Sequence, residues 1–179
     1  MYRGDVLSQL LFSNRTLTED FDLTLQIHDQ KLGKIVYLPQ AKVITQDPPT
    51  LRDYWKQVTR WCTGFWQNVR LHKIYKFRRR VDFEVMMLVA DGLSWIVAIL
   101  LAFLHPQFFL TLLILSSIVT EVLALAILAL DRQWWAIKFM PLFVIFPLIN
   151  VASYCYSFFR AFFFNPEHLT WQKVRRYAA

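Results

Sequence analysis

The chain has 179 residues, of which 56% are hydrophobic and 17% aromatic, and its formal net charge is +7. Soluble domains rarely combine these values, so the composition argues against an ordinary soluble protein. Residues 1–80 carry most of the charge and residues 84–164 supply long apolar runs, so we predict a polar part followed by a membrane part.

A basic cluster, KIYKFRRR at 73–80, stands directly before the first apolar run. Such a cluster is typical of the cytoplasmic flank of a membrane span rather than of a nucleic-acid-binding surface. The N-terminal sequence MYRGDVLSQLLFS contains Asp5 and no sustained apolar core, so we do not interpret it as a signal peptide. The polar part is therefore expected to stay in the cytoplasm.

The first predicted helix follows the sequence TLTED at 16–20. Thr18 is expected to be its N-cap, with two carboxylates at the positive end of the helix. The apolar spacing supports a helix to about Gln30, closed by Gly33. Two short β-branched runs at 34–38 and 41–45 then predict strands, which makes this part mixed α/β.

The stretch TLRDYWKQVTRWCTGFWQ, which starts at Thr50, predicts an amphipathic helix. Thr50 follows two prolines and precedes an acidic residue by three positions, as an N-cap does. At 3.6 residues per turn, Gln57, Arg60, Trp61 and Gly64 share one face. The alternative interpretation is an ordinary interfacial helix, whose tryptophans lie at the headgroups and whose basic side chains reach water.

Three apolar segments follow, at 85–104, 108–130 and 137–163. Each is long enough to cross a hydrocarbon layer about 30 Å thick, which needs about 20 residues. The uncharged link at 105–107 predicts a hairpin with the link outside the cell. Prolines at 141 and 147 can break the third segment, so the side of the basic tail stays open.

The order of the motifs carries a family resemblance. TED stands at 18–20, QVTRW at 57–61, and the basic flank and apolar segments follow. This order resembles the membrane-embedded family 2 glycosyltransferases, the group of cellulose, hyaluronan, chitin and poly-N-acetylglucosamine synthases, in which TED and QxxRW are characteristic motifs. The resemblance implies an α/β fragment of a glycosyltransferase GT-A domain followed by an α-helical transmembrane bundle of about three spans.

The same resemblance implies the roles of the TED residues. Asp20 would be the general base, taking the proton of the acceptor hydroxyl as that oxygen attacks the anomeric carbon of a nucleotide sugar. Glu19 would belong to the catalytic site beside it. Thr18 would contribute to substrate binding.

The QxxRW residues would bind substrate. By resemblance, Arg60 offsets the diphosphate charge of the leaving group, Trp61 offers a flat face to the acceptor sugar, and Gln57 hydrogen-bonds the substrate.

The nucleotide-binding half of the family, with the DxD motif that holds Mg²⁺ or Mn²⁺, should precede TED by a long stretch, and here 17 residues precede Thr18. The sequence DFD at 20–22 overlaps TED, so we assign no metal ligand in this chain. We expect a fragment or a split-gene product that is inactive alone and binds no cofactor alone, with Mg²⁺ or Mn²⁺ implied for the complete enzyme. A separate polypeptide would supply the nucleotide-binding half.

The prediction divides the chain into the C-terminal portion of a catalytic α/β domain at 1–49, an interface helix with its basic flank at 50–80, transmembrane helices at 84–164 and a basic tail at 165–179. The predicted function is the acceptor-side and membrane part of an inverting glycosyltransferase in the bacterial inner membrane. Its partners would be a nucleotide-sugar donor, a glycan acceptor and membrane lipid, and no nucleic acid.

Two alternatives belong to other classes of protein. One is a catalytically inactive membrane interaction protein derived from such an enzyme. The other is a transporter or channel subunit in which Asp91 and Glu121, both inside apolar segments, form a polar path.

Overall fold

The structure is a computed structural model, and it describes residues 4–12, 15–38, 40–41, 43, 45, 47–130, 132, 134–140 and 142–163, with the backbone alone at 142–144. The predicted break at Pro141 and the predicted tail at 165–179 lie outside the described residues.

The described residues form α-helices and two short 3₁₀ helices. The α-helices are α1 (Gly4–Leu7), α2 (Glu19–Asp29), α3 (Leu51–Leu71), α4 (Arg80–Leu104), α5 (Pro106–Leu130) and α6 (Leu142–Phe163), and the 3₁₀ helices are Ile74–Lys76 and Trp134–Phe139. Two compact units contain these elements: Met1–Leu88 with Tyr156–Ala179, and Val89–Cys155.

The prediction of an α/β fragment of a GT-A domain is wrong, because the described part of the chain contains no strand. The residues described within 34–38 and 41–45 have no regular secondary structure, and the side chains of Tyr37 and Val43 are 86% and 84% exposed. A β-prone run becomes a strand by pairing and packing against a neighbouring strand. These two runs have no described strand to pair with.

In the first unit, α2 begins after Thr18 and ends at Asp29 with Gln30 as its C-cap, as predicted, but Gly33 does not close it. Lys31 has a φ of 53°, and the N–H of Leu32 donates to the carbonyl of Ile27 at 3.1 Å. This is the hydrogen bond of a Schellman motif, in which the residue with positive φ stops the helix. The stop is therefore Lys31, and the prediction of Gly33 is wrong.

The predicted start of α3 at Thr50 is confirmed. The N–H of Asp53 donates to Thr50 Oγ1 at 3.1 Å, and the Thr50 hydroxyl donates to Asp53 Oδ2 at 2.8 Å. One face of α3 then packs on the last turns of α6. The Trp66 ring meets Phe158 edge-on at 5.0 Å, and Thr63 donates to Ser157 Oγ at 3.1 Å.

Two helices, α4 and α5, are long and apolar enough to cross a membrane, although length and composition alone decide this assignment. Only 6% and 11% of their most apolar windows are buried. A core helix of a soluble protein would instead have its apolar side chains covered. The predicted third segment is divided, because its first residues belong to the 3₁₀ helix Trp134–Phe139 and residues 142–163 form α6. Pro147 lies inside α6 and does not end it.

Candidate active site

Leu17, the residue before the TED sequence, is bound to α3 through both its backbone N–H and its carbonyl. The N–H of Leu17 donates to Gln67 Oε1 at 2.8 Å, and the carbonyl of Leu17 accepts from Arg60 Nη1 at 3.1 Å. Arg60 follows Leu17 by 43 positions in the chain. The arginine of QxxRW therefore directly contacts the segment that carries TED.

Thr18 packs into the same face of α3. Its hydroxyl accepts from Asn68 Nδ2 at 3.0 Å, and its carbonyl accepts from the same nitrogen at 3.3 Å. Thr18 occupies the N-cap position of α2, but its side chain makes no capping hydrogen bond. The structure thus places Thr18 in the contact between α2 and α3, and its predicted role in substrate binding stays a prediction.

The close approach of Thr18 requires the glycine that faces it. A Cβ at Gly64 would lie 2.8 Å from the backbone nitrogen of Thr18, a separation that real Cβ atoms essentially never show. Gly64 lies one turn after Arg60 on α3, so both residues are on one face of the helix. That face provides the space for Thr18 and the hydrogen bond to Leu17.

Glu19 and Asp20 are exposed in the first turn of α2. The Asp20 carboxylate accepts from the N–H of Phe21 at 2.8 Å. The Phe21 ring stacks on Phe65 of α3, with centroids 5.9 Å apart and planes 5° apart. Both carboxylates are therefore accessible to a substrate.

The QxxRW residues lie on consecutive turns of α3. Gln57 and Arg60 are half-buried, and Trp61 is 47% exposed. The exposed indole is accessible for stacking on a ligand. The described contacts bring Arg60 to the TED segment, and the roles of all three side chains stay predictions.

Sequence reasoning missed Gln67 and Asn68, which fix Leu17 and Thr18. They follow Arg60 by seven and eight positions, which places them two turns further along the same face of α3. Extending the helical periodicity beyond the QxxRW motif would have found them.

The DFD sequence at 20–22 does not place two carboxylates side by side. Asp20 is exposed, whereas Asp22 is 1% exposed and accepts two hydrogen bonds from Arg15 at 3.1 and 3.2 Å. Among the described residues, no group of three or more His, Cys, Asp or Glu is arranged to hold a metal ion.

Comparison with known sequences decides the family. The model of "Glycosyl transferase family group 2" matches residues 1–164. The chain belongs to this family. It is also 35% identical over 91 residues to "Uncharacterized glycosyltransferase YaiP" of Escherichia coli (strain K12). No solved structure matches it significantly.

The match with the E. coli protein covers 50% of this chain and 23% of that relative, so the chain spans under a quarter of the relative's length. Membership of glycosyl transferase family group 2 confirms the coarser part of the resemblance, a family 2 glycosyltransferase sequence. The match is to the family group as a whole and does not select a synthase type.

Proposed function

We propose that this chain supplies the acceptor-side and membrane part of an inverting glycosyltransferase, which transfers a sugar from a nucleotide-sugar donor to a growing glycan. The observation that carries the proposal is the 3.1 Å hydrogen bond from Arg60 to the carbonyl of Leu17. It joins the segment of one family motif to the helix of the other. Asp20 and Trp61 are both accessible, Asp20 in α2 directly after the bonded segment and Trp61 in α3 directly after Arg60.

Asp20 acts as the general base in this proposal, with Glu19 beside it. As the acceptor hydroxyl oxygen forms its bond to the anomeric carbon, the bond from that carbon to the diphosphate breaks. The hydroxyl proton passes to the Asp20 carboxylate, and the nucleoside diphosphate leaves with the electron pair. A single displacement of this kind inverts the configuration of the anomeric carbon.

Arg60 has the capacity to bind the leaving group while it holds Leu17. A guanidinium carries five N–H donors, and the bond to Leu17 uses one of them. The remaining donors suit the negative charge that develops on the diphosphate. The exposed ring of Trp61 stacks on the acceptor sugar, and Gln57 hydrogen-bonds the substrate.

The donor-binding half would lie on polypeptide beyond this sequence, and its residues would hold the Mg²⁺ or Mn²⁺ that offsets the diphosphate charge. The share of the E. coli relative that this chain matches, 23%, supports this part of the proposal. The exposed apolar faces of α4 and α5 support insertion into lipid, and the basic residues at 73–80 support a cytoplasmic polar part in a bacterial inner membrane. We therefore propose that the complete enzyme is a polysaccharide synthase.

The test uses the full-length enzyme that carries this sequence, or this chain co-expressed with a donor-binding segment encoded beside it. Membranes are supplied in parallel with radiolabelled UDP-glucose, UDP-N-acetylglucosamine and GDP-mannose, and transfer to glycan is measured. Asp20→Asn is expected to lower transfer on the order of 10²- to 10⁴-fold without weakening donor binding. Near-normal transfer by this variant would show that Asp20 is not the base.

The matched control is Glu84→Gln, because Glu84 is an exposed carboxylate whose ion pair with Arg80 lies on the surface of α4. This control should retain normal transfer.

A further inference from the structure

A buried polar network surrounds Asp22, two positions after the proposed base. Asp22 Oδ1 accepts from Arg15 Nη2 at 3.1 Å and lies 2.6 Å from His72 Nε2. Asp22 Oδ2 accepts from Arg15 Nε at 3.2 Å and from Gln26 Nε2 at 3.2 Å. Both oxygens are therefore occupied inside the protein, so Asp22 is not placed to bind substrate.

The network continues from His72 to the start of α4. His72 caps the C-terminus of α3, and its carbonyl accepts from Arg79 Nη2 at 3.3 Å. Arg79 pairs with the fully buried Asp82 at 2.7 Å and donates to the carbonyl of Leu25 in α2 at 3.4 Å. One member of the basic cluster at 73–80 thus ties α2 to the ends of two other helices and does not face lipid headgroups.

The geometry of a helix links Asp22 to Asp20. Residues two apart on an α-helix point about 200° from one another, because each residue turns the chain by about 100°. A contact that holds Asp22 inward therefore holds Asp20 outward. The burial of the two residues agrees, since Asp22 is buried and Asp20 is exposed.

We propose that Asp22 is a positioning residue of the transferase, which through Arg15 and His72 fixes the rotation of α2 and so the direction in which α2 presents Asp20 to the acceptor. This inference rests on the proposed function of Asp20. A bidentate arginine and a histidine on one buried carboxylate define its orientation more strictly than the apolar contacts of α2 alone, because hydrogen bonds to a charged group are directional and costly to lose in a buried site.

The test measures how the enzyme divides its donor between transfer to glycan and hydrolysis by water. A base turned away from the acceptor hydroxyl loses transfer, whereas a water molecule is free to follow the base, so Asp22→Asn should lower the transfer-to-hydrolysis ratio at least about tenfold. Loss of folded enzyme lowers both rates equally and leaves the ratio unchanged. The donor is whichever of UDP-glucose, UDP-N-acetylglucosamine and GDP-mannose supports transfer by the unaltered enzyme.

A second variant, His72→Gln, removes the other partner of the Asp22 carboxylate and should lower the same ratio if Asp22→Asn fails to fold. Glu84→Gln, which breaks an exposed ion pair, is the control and should leave the ratio unchanged. An unchanged ratio in a folded Asp22→Asn or His72→Gln enzyme would overturn the positioning role. An unchanged ratio in these variants, together with lost transfer in Asp20→Asn, would reject the positioning role of Asp22 and leave Asp20 as the base. Normal transfer by Asp20→Asn would instead reject the proposed base.

Discussion

Gly64 is a position in the candidate site at which an added side chain would collide with Thr18. Because Gly64 has no Cβ, the backbone nitrogen of Thr18 can approach α3 closely. A Cβ at position 64 would lie only 2.8 Å from that nitrogen. Gly64→Ala should therefore lower the melting temperature and the transfer rate, because an overpacking cost of about 1–3 kcal/mol against backbone exceeds the roughly 1 kcal/mol that alanine contributes to a helix. Differential scanning fluorimetry in detergent measures the first effect.

Gly33→Ala is the matched control, because a Cβ at Gly33 would meet no other atom within 4 Å and Gly33 does not have a positive φ. This variant should be neutral or slightly more stable. If Gly64→Ala and the unaltered protein had the same melting temperature, that result would contradict the close contact between Thr18 and α3.

Arg60 combines a structural bond with a proposed ligand bond, and only a planar guanidinium makes both in one geometry. Arg60→Lys keeps the charge but removes the fork of donors, so transfer should fall about ten- to a hundredfold, as expected for losing a charged hydrogen bond worth about 1.5–3 kcal/mol. The measurement is the steady-state rate of sugar transfer. Arg52→Lys, at an exposed position of α3, should leave that rate unchanged, and an unaltered rate in Arg60→Lys would count against both bonds.

At the scale of the element, α2 is stopped by a residue with a left-handed backbone conformation. Lys31 adopts a φ of 53°, which costs a residue with a Cβ roughly 1–2 kcal/mol relative to glycine. Lys31→Gly should therefore raise the free energy of unfolding by about 1 kcal/mol, measured as a higher melting temperature. Lys34→Gly, at an exposed position without positive φ, should not raise it. If both variants melt alike, the Schellman motif does not end α2.

The start of a helix depends on residues that are close in sequence, whereas a strand also depends on a partner strand that can be distant in sequence. The start of α3 depends on Thr50 and Asp53, which lie three positions apart, so the sequence was enough to predict the cap. The runs at 34–38 and 41–45 have the β-branched composition of strands, yet the residues described there are not strands. Composition cannot supply the neighbouring strand on which pairing depends.

At the scale of the whole molecule, the membrane assignment is tested at Gln107, which lies in the first turn of α5 beside the short link to α4. Gln107→Cys, in a background of Cys62→Ala and Cys155→Ala, should react with a membrane-impermeant thiol reagent on intact cells. The reason is that the uncharged link crosses more easily than the basic flank at 73–80. Mass-shift labelling on gels measures the reaction.

Glu84→Cys in the same background is the control for the cytoplasmic side and should react only after the cells are opened. Labelling of Glu84→Cys together with protection of Gln107→Cys on intact cells would show the reversed topology. Equal labelling of both positions on intact cells would argue that α4 does not span the membrane.

Features that local rules encode were predictable from the chain alone. The TED and QxxRW motifs, the cap at Thr50, and the long apolar helices α4 and α5 each depend on residues close together in the chain. Motif order was also enough to predict a family 2 glycosyltransferase, and the comparison confirmed the family at that level.

The side chains that hold the site together became evident only from the packing of the helices. The bonds from Arg60 to Leu17 and from Asn68 to Thr18 join residues 43 and 50 positions apart, and the contact from His72 to Asp22 also spans 50. No local pattern contains such a pairing, because the spacing of residues along one helix defines its faces but not the segment that each face meets. For the same reason, the DFD motif was recognisable in the sequence, whereas the inward direction of Asp22 became evident only from the packing of α2 against α3.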